Sequence, residues 1–279
     1  MTFSVLIAVY VKDSPTYFDR AMQSIWSEQN HKPDQIVLVM DGEVTVELNK
    51  IITIWKDKLG DILVVVALPQ NIGLGGALNN GLKYCEHEFV ARMDADDVCL
   101  PDRFLKQIAF FEKNPLLDIV GSFAVEIDEQ GNKGVRRSMP VNHDDIVNSL
   151  WACPIIHPSV MFKRDKVIQA GGYNTALRRR QDYELWFRCA AEGLKFHNIP
   201  APLLLYRFTE ETHTKQSVKL AFEQAVIGFQ GASLLSMPIW KRVACFVPFV
   251  RSLLPSRFQH FMYFALRHFD PRKTKRDLK

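Results

Sequence analysis

The sequence predicts an open α/β sheet, mostly parallel and flanked by helices, with a basic helical extension at its C-terminus. Four short runs rich in Val and Ile alternate with helical stretches along the first 115 residues, and strand–helix units in series make a parallel sheet. The runs lack the in–out alternation of a half-wet strand, so both faces are expected to be covered. The excess positive charge is confined to one end: residues 241–279 hold ten Lys/Arg and two Asp/Glu, a balance of +8, whereas the preceding 240 residues balance at −4.

Taken in order, "FSVLIAVY" (3–10) is the first strand. Ser14 and Pro15 then supply an N-cap and a proline at the first helical position, and the helix is expected to run to about Gln29. "DQIVLVMD" (34–41) is a strand, 43–58 a helix, "DILVVVAL" (61–68) a strand and the stretch from about Gly75 to Tyr84 a helix. "EFVARMD" (88–94) is the fourth strand, and Leu100-Pro101 opens the helix "PDRFLKQIAFFEKN". Beyond residue 116 the pattern is less regular. Two strands flank the turn "DEQGNKG" within 117–137, and a strand leads into a helix at 157–165. A helix over 181–193 stops at Gly193, "APLLLYRF" is a late strand, and helices follow from about 210, broken at Pro238, Pro248 and Pro255.

A content of 47% hydrophobic and 24% charged residues is that of a soluble globular chain and excludes disordered or collagen-like classes. Five scattered cysteines with no C-x-x-C pair fit a reducing compartment. The apolar N-terminus lacks the basic region and cleavage site of a signal peptide. The longest uncharged run, 224–240, is 17 residues and interrupted by polar ones, so no membrane-spanning helix is expected.

Ligands of open α/β sheets bind at the carboxyl ends of the strands. Tyr10, Asp41 and the trio Asp94, Asp96 and Asp97 fall at such ends. "RMDADD" packs three carboxylates into four positions, the oxygen-donor set that Mg²⁺ and Mn²⁺ require; the same residues would also make a solvated acidic turn. "QNIGLGGALNNG" (70–81) is not a dinucleotide loop, since Leu78 stands where G-x-G-x-x-G needs its last glycine. Its helix start still offers backbone N–H groups to a phosphate.

Together, "SVLIAVY", "VLVMDG", "NIGLGGALNNG", "RMDADD" and "RRRQDYELWFR", in that order, resemble the inverting family-two glycosyltransferases of the GT-A fold, in particular bacterial enzymes of O-antigen and capsule synthesis. The resemblance covers residues 1 to about 217 and implies a catalytic domain there, with a nucleotide-binding half (1–115) and an acceptor half (116–217). It implies that the segment Ala8–Tyr10 and Asp41 hold the uracil of a UDP-sugar, although Met40 stands where the family often has a second acid. Asn71 and Gly73 would lie beside the nucleotide, Arg92, Asp94 and Ala95 beside the nucleotide-sugar, and Asp96 would hold Mn²⁺ or Mg²⁺ on the diphosphate. Asp97 is a helix cap or a further acid of that site. Asp182 resembles the catalytic base, with Gln181 in place of the usual Glu, while His157, Arg180 and Gln181 take secondary places near the acceptor. His213 resembles a late family histidine that approaches the metal.

The implied reaction moves a hexose from UDP-glucose or UDP-galactose to a hydroxyl of a lipid-diphosphate-linked saccharide, with inversion. No Q-x-x-R-W follows Asp182 between 183 and 240, so one sugar per encounter is expected. A nucleotidyltransferase would share the layout but needs a glycine-rich loop after the first strand, and "AVYVKDSPTYF" has no glycine. A catalytically silent scaffold would be expected to lack Asp96 or Asp182. In the helical region 218–279, the stripe Phe258, Phe261, Met262, Ala265, Leu266 and Phe269 followed by "RKTKRDLK" suits a helix lying on an anionic membrane; the same stripe would serve to pack against the catalytic domain. The expected location is cytoplasmic and peripheral on the inner face of the cell membrane. No nucleic-acid partner is expected.

Overall fold

A computed structural model describes residues 1–208 and 217–254. β1 (Phe3–Val9) lies between β2 (Gln35–Met40) and β4 (Phe89–Met93), and β3 (Leu63–Ala67) extends the sheet beyond β2; all four are parallel. The sheet then turns mixed. β8 (Met161–Lys163) runs antiparallel to β4 and to β6 (Ile119–Ile127). The long β9 (Phe196–Arg207) is parallel to β6, and β5 (Val98–Cys99) and β7 (Lys133–Arg137) pair antiparallel to β9 and β6. The strand order is β3-β2-β1-β4-β8-β6-β9-β5, with β7 beside β6.

Burial explains the missing alternation. Phe3, Val5, Ile7 and Val9 of β1 join one core with α1 (Pro15–Ile25), α2 (Val46–Leu59) and α4 (Arg103–Lys113). Leu6 faces the opposite core, built with α3 (Leu74–Leu82), α7 (Gln181–Ala191) and α8 (Val218–Leu234). β4 follows the same alternation: Phe89, Ala91 and Met93 go with the first core, and Val90 with the second. Arg92 is next in step with Val90.

Local chemistry sets the ends of elements. The Ser14 hydroxyl accepts from Tyr17 N at 3.4 Å, so the predicted N-cap is formed. α1 stops at Ile25, short of Gln29, whose Nε2 donates to Ser24 O (2.7 Å) and Leu100 O (2.9 Å) and so ties the chain leaving α1 to the turn before α4. α3 lies flat on β1 and β2 because a Cβ at Gly81 would meet Leu6 Cδ1 at 2.4 Å and Val39 Cγ2 at 2.7 Å. The remaining helices are α5 (His143–Asn148), α6 (Arg164–Gln169), α9 (Ile239–Ala244) and α10 (Val247–Ser252). No described helix is long and apolar enough to cross a membrane. The aromatic stripe at 256–269 and the basic string after it lie outside the described residues.

Candidate functional site

The carboxyl ends of β1, β2 and β4 each place an acid at one rim of the sheet. After β1 the chain folds back on itself: Asp13 N donates to Tyr10 O (3.0 Å) and Tyr10 N donates to Asp13 Oδ2 (2.9 Å). Burial, with the charges of Asp96 and Asp94 behind it, pushes the Asp13 carboxyl up to about 7 against the opposing bond from Tyr10. Asp13 is therefore an acid within electrostatic reach of Asp94 and Asp96. Its only signal in the sequence was an acid three residues beyond a strand end.

At the end of β2, buried Asp41 is a clamp. Its two carboxylate oxygens accept from Ile72 N (2.8 Å) and Gly73 N (3.0 Å), and its carbonyl accepts from Asn71 Nδ2 (3.2 Å). These bonds hold the start of α3, where Gly73 adopts φ +87°. Each Asp41 oxygen keeps one further lone pair for a ligand. Ala8 and Tyr10 flank this clamp, Ala8 half-buried and Tyr10 39% exposed.

β4 delivers the densest charge. Arg92 is buried and ion-paired with the half-buried Asp94, while its Nε and Nη1 have no hydrogen-bond partner among the described residues. Ala95 is buried and Asp96 exposed. One oxygen from each of Asp94, Asp96 and Asp97 falls within 4.8 Å of the others. Crowding by protein and the adjacent Asp94 charge push Asp96 up to about 6. Asp97 is raised well above the ordinary carboxylate range by burial and by Asp96 and Asp94.

Asp97 does not cap a helix. Its Oδ1 accepts from Arg207 N at 2.7 Å, and α4 begins later, after Asp102. Its buried Oδ2 has no partner among the described residues. An all-oxygen donor set, mutual repulsion and an orphaned buried carboxylate oxygen fit a hard divalent cation.

Two arginines that the sequence reading missed brace this turn. Arg207, at the end of β9, donates from Nε to Asp96 O (2.8 Å) and from Nη1 to Asp128 O (2.5 Å), and its guanidinium lies over the Tyr17 ring at 4.0 Å. Arg103, fully buried in α4, donates to Arg92 O (2.7 Å) and Val160 O (3.3 Å) from behind β4. Neither is adjacent in sequence to what it holds, so spacing carries no signal for them.

The other side of the site is the start of α7. Arg180 takes a left-handed conformation (φ 63°), which a non-glycine residue adopts at a cost of order 1 kcal/mol. It turns the chain so that Asp182 stands half-buried in the first helical turn. Burial raises the Asp182 carboxyl above its ordinary range, and the Arg180 and Arg92 charges oppose the shift. Gln181 is buried against Gly75, its Oε1 without a partner among the described residues. Arg178 Nη1 donates to Asn71 Oδ1 at 3.3 Å, which ties the loop before α7 to the loop before α3.

His157 braces Tyr173 and Trp186. It is buried, bonds Tyr173 OH through Nε2 at 2.9 Å and packs edge-on to Trp186. Burial and the Arg92 charge hold its ring neutral, well below the usual histidine range. His213 lies outside the described residues.

The rim thus brings Asp13, Asp41, Asp94, Asp96 and Asp97 to one end of the sheet, and Arg92 joins them to α7. Residues 4–187 match the model of glycosyl transferase family 2. The chain belongs to that family. Among bacterial relatives, the amylovoran biosynthesis glycosyltransferase AmsE of Erwinia amylovora is 41% identical over 206 residues, 74% of this chain and 76% of its own. The UDP-Gal:alpha-D-GlcNAc-diphosphoundecaprenol beta-1,3-galactosyltransferase of Escherichia coli is 35% identical over 265 residues, 94% of each chain. The Staphylococcus aureus TarS 1–349 structure in complex with UDP-GlcNAc superposes with a TM-score of 0.69 at 18% identity, covering 96% of this chain and 76% of that one. The mixed sheet with flanking helices is accordingly the GT-A fold.

Proposed function

We propose that this family-2 glycosyltransferase is a non-processive, inverting hexosyltransferase that moves a hexose from UDP-galactose or UDP-glucose to a hydroxyl of a lipid-diphosphate-linked saccharide. The observation that carries this reading is the position of Arg92. Its buried charge acts on Asp94, Asp97 and Asp182 alike, which supports reading the acidic cluster and the base as parts of one site.

Asp94, Asp96 and Asp97 would hold Mn²⁺ or Mg²⁺, which when bound stabilises the charge on a departing diphosphate. The chain's own residues do the rest. Residues 1–115 hold the nucleotide: the Ala8–Tyr10 segment and Asp41 take the uracil, and Asn71 and Gly73 line its phosphate side. Arg92 fixes Asp94 beside ribose and sugar. Residues 116–217 present the acceptor, whose diphosphate finds positive charge at Arg180. Asp182 accepts the proton of the acceptor hydroxyl as that oxygen attacks the anomeric carbon opposite the UDP, so an α-linked donor gives a β-linked product. The name of the E. coli relative supports the choice of donor and acceptor. A lipid-linked acceptor places the enzyme on the cytoplasmic face of the membrane as a peripheral protein.

The test is transfer in vitro. With Mn²⁺ and a synthetic lipid-diphosphate-linked N-acetylglucosamine, one UDP-hexose of a small panel should yield a single added sugar by mass spectrometry and a β linkage by NMR. An α linkage would overturn inversion. Release of pyrophosphate from UTP and a sugar phosphate, with no transfer, would instead identify a nucleotidyltransferase.

Metal affinity should also depend on pH in a defined sense. Asp96 gives up its proton near about 6, and a protonated carboxylate is a poor ligand. Mn²⁺ should therefore bind more tightly from about pH 5 to about pH 8, by up to about tenfold per unit for each proton displaced. Calorimetry in buffers of different ionisation enthalpy would count those protons, and a pH-independent affinity would remove the acids from the metal site.

A further inference from the structure

The last two described helices wear their side chains inside out. Ile239 (65% exposed), Val243 (59%), Val247 (43%), Val250 (51%) and Leu253 (57%) recur at steps of four, four, three and three, and Trp240 (58%) borders them. Cys245 and Phe246, which join α9 to α10, keep right-handed helical backbone angles, so the stripe follows one face across the junction. The cations of the same segment turn inward. Lys241 Nζ donates to Asn148 O (2.8 Å), Arg242 Nε donates to Met237 O (2.7 Å), and both are half-buried. A helix facing water carries its charge outward and its apolar stripe toward the core. α10 already has a packing contact elsewhere, where Phe246 and Phe249 meet Phe222 of α8. The outward stripe is therefore surplus to folding.

We propose that this stripe is a membrane-docking face whose occupant is the boundary between headgroups and acyl chains of an anionic bilayer. Charge selects that occupant. Residues 241–279 carry a balance of +8 while the rest of the chain is at −4, so an anionic surface draws this end in and repels the other. A second copy would set one +8 segment against another. The border tryptophan suits the interface, where an amphipathic ring places its apolar body inward and its N–H toward water. The stripe ends where α10 ends, and the sequence that follows, residues 255–279, holds seven further Lys/Arg. The proposed docking face is the stripe of α9 and α10 alone. This surface extends the proposed transfer to a lipid-linked acceptor, but vesicle binding is read without substrate, so either reading can fail alone.

The experiment uses the full chain and vesicles of phosphatidylcholine with or without phosphatidylglycerol. The protein should sediment with the anionic vesicles, and less so at high salt. Lipids brominated on their acyl chains should quench the fluorescence of the wild-type chain and not that of Trp240→Phe. The triple variant Ile239→Gln/Val243→Gln/Val250→Gln should lose vesicle affinity by about tenfold or more, with unchanged melting temperature and unchanged transfer to a short water-soluble acceptor. Undiminished binding by the triple variant, or equal quenching of the wild type and Trp240→Phe, would overturn the proposal. So would a wild-type dimer that the triple variant converts to monomer, which would make the stripe an interface between copies. A lowered melting temperature without any vesicle binding would show that residues 255–279 cover the stripe, and would overturn it as well.

Discussion

Asp182→Asn is expected to lower kcat by about 10²–10⁴ while the affinity for the UDP-sugar stays near that of the wild type. Asparagine keeps the size and polarity of the side chain at the start of α7 but cannot accept a proton from the acceptor. Burial holds the Asp182 carboxyl above the ordinary carboxylate range, a shift that brings a base closer to neutrality and makes it a better proton acceptor. The sign of the pH dependence follows. Wild-type activity should fall as pH drops through that raised value, and the residual activity of the variant should lack this limb. Donor affinity measured by calorimetry distinguishes the two possible locations of the residue. If it collapses in Asp182→Asn, the carboxylate faces the donor and the base must be sought elsewhere.

Asp96→Ala should lose at least about 10²–10³-fold in divalent-dependent turnover. The accompanying stability result is less intuitive. Asp96 is raised to about 6 in the folded chain, so its charged form is disfavoured there, and the folded state loses stability as pH rises through that value. Removing it at about pH 8 relieves repulsion with Asp94 and Asp97, and without metal the variant should melt at or above the wild-type temperature. Mn²⁺ should raise the melting temperature of the wild type and not that of the variant, because only a folded state that binds the ion is stabilised by it. Full activity of the variant, or undiminished wild-type activity in EDTA, would refute the assignment.

The parallel half of the sheet was legible because its signal is local. Each strand is a short β-branched run, and Ser14-Pro15 and Gly193 punctuate the helices where the structure has them. β5 was invisible: it is two residues long and exists only because β9 runs beside it. The acids of the D-x-D turn and Asp182 were legible as residues, but their supports were not. Asp13 reaches the cluster through a three-residue turn, and Arg207 through a strand more than a hundred positions away. Asp41 was read as a group facing the ligand, and the structure shows it also spends both oxygens on the backbone of residues 72 and 73. His157 was legible by type, but its packing against Trp186 and its bond to Tyr173 were not. Type and spacing find the groups that carry charge, whereas hydrogen bonds across the sheet decide which way they point.

β4 alternates strictly between two cores, with Phe89, Ala91 and Met93 on one side and Val90 and Arg92 on the other. The placement of the guanidinium is therefore a matter of parity, odd or even, and has no intermediate values. Deleting or inserting one residue between Val90 and Arg92 would exchange Arg92 for a neighbour, sending a cation into the apolar layer under α1 and α4 and a small or sulfur-bearing side chain toward Asp182. Substitutions in this strand change the site by degrees, but a change of length inverts it. The turn at 128–132, which joins β6 to β7, carries no such parity; what ties it to the site is the bond from Arg207 to Asp128 O.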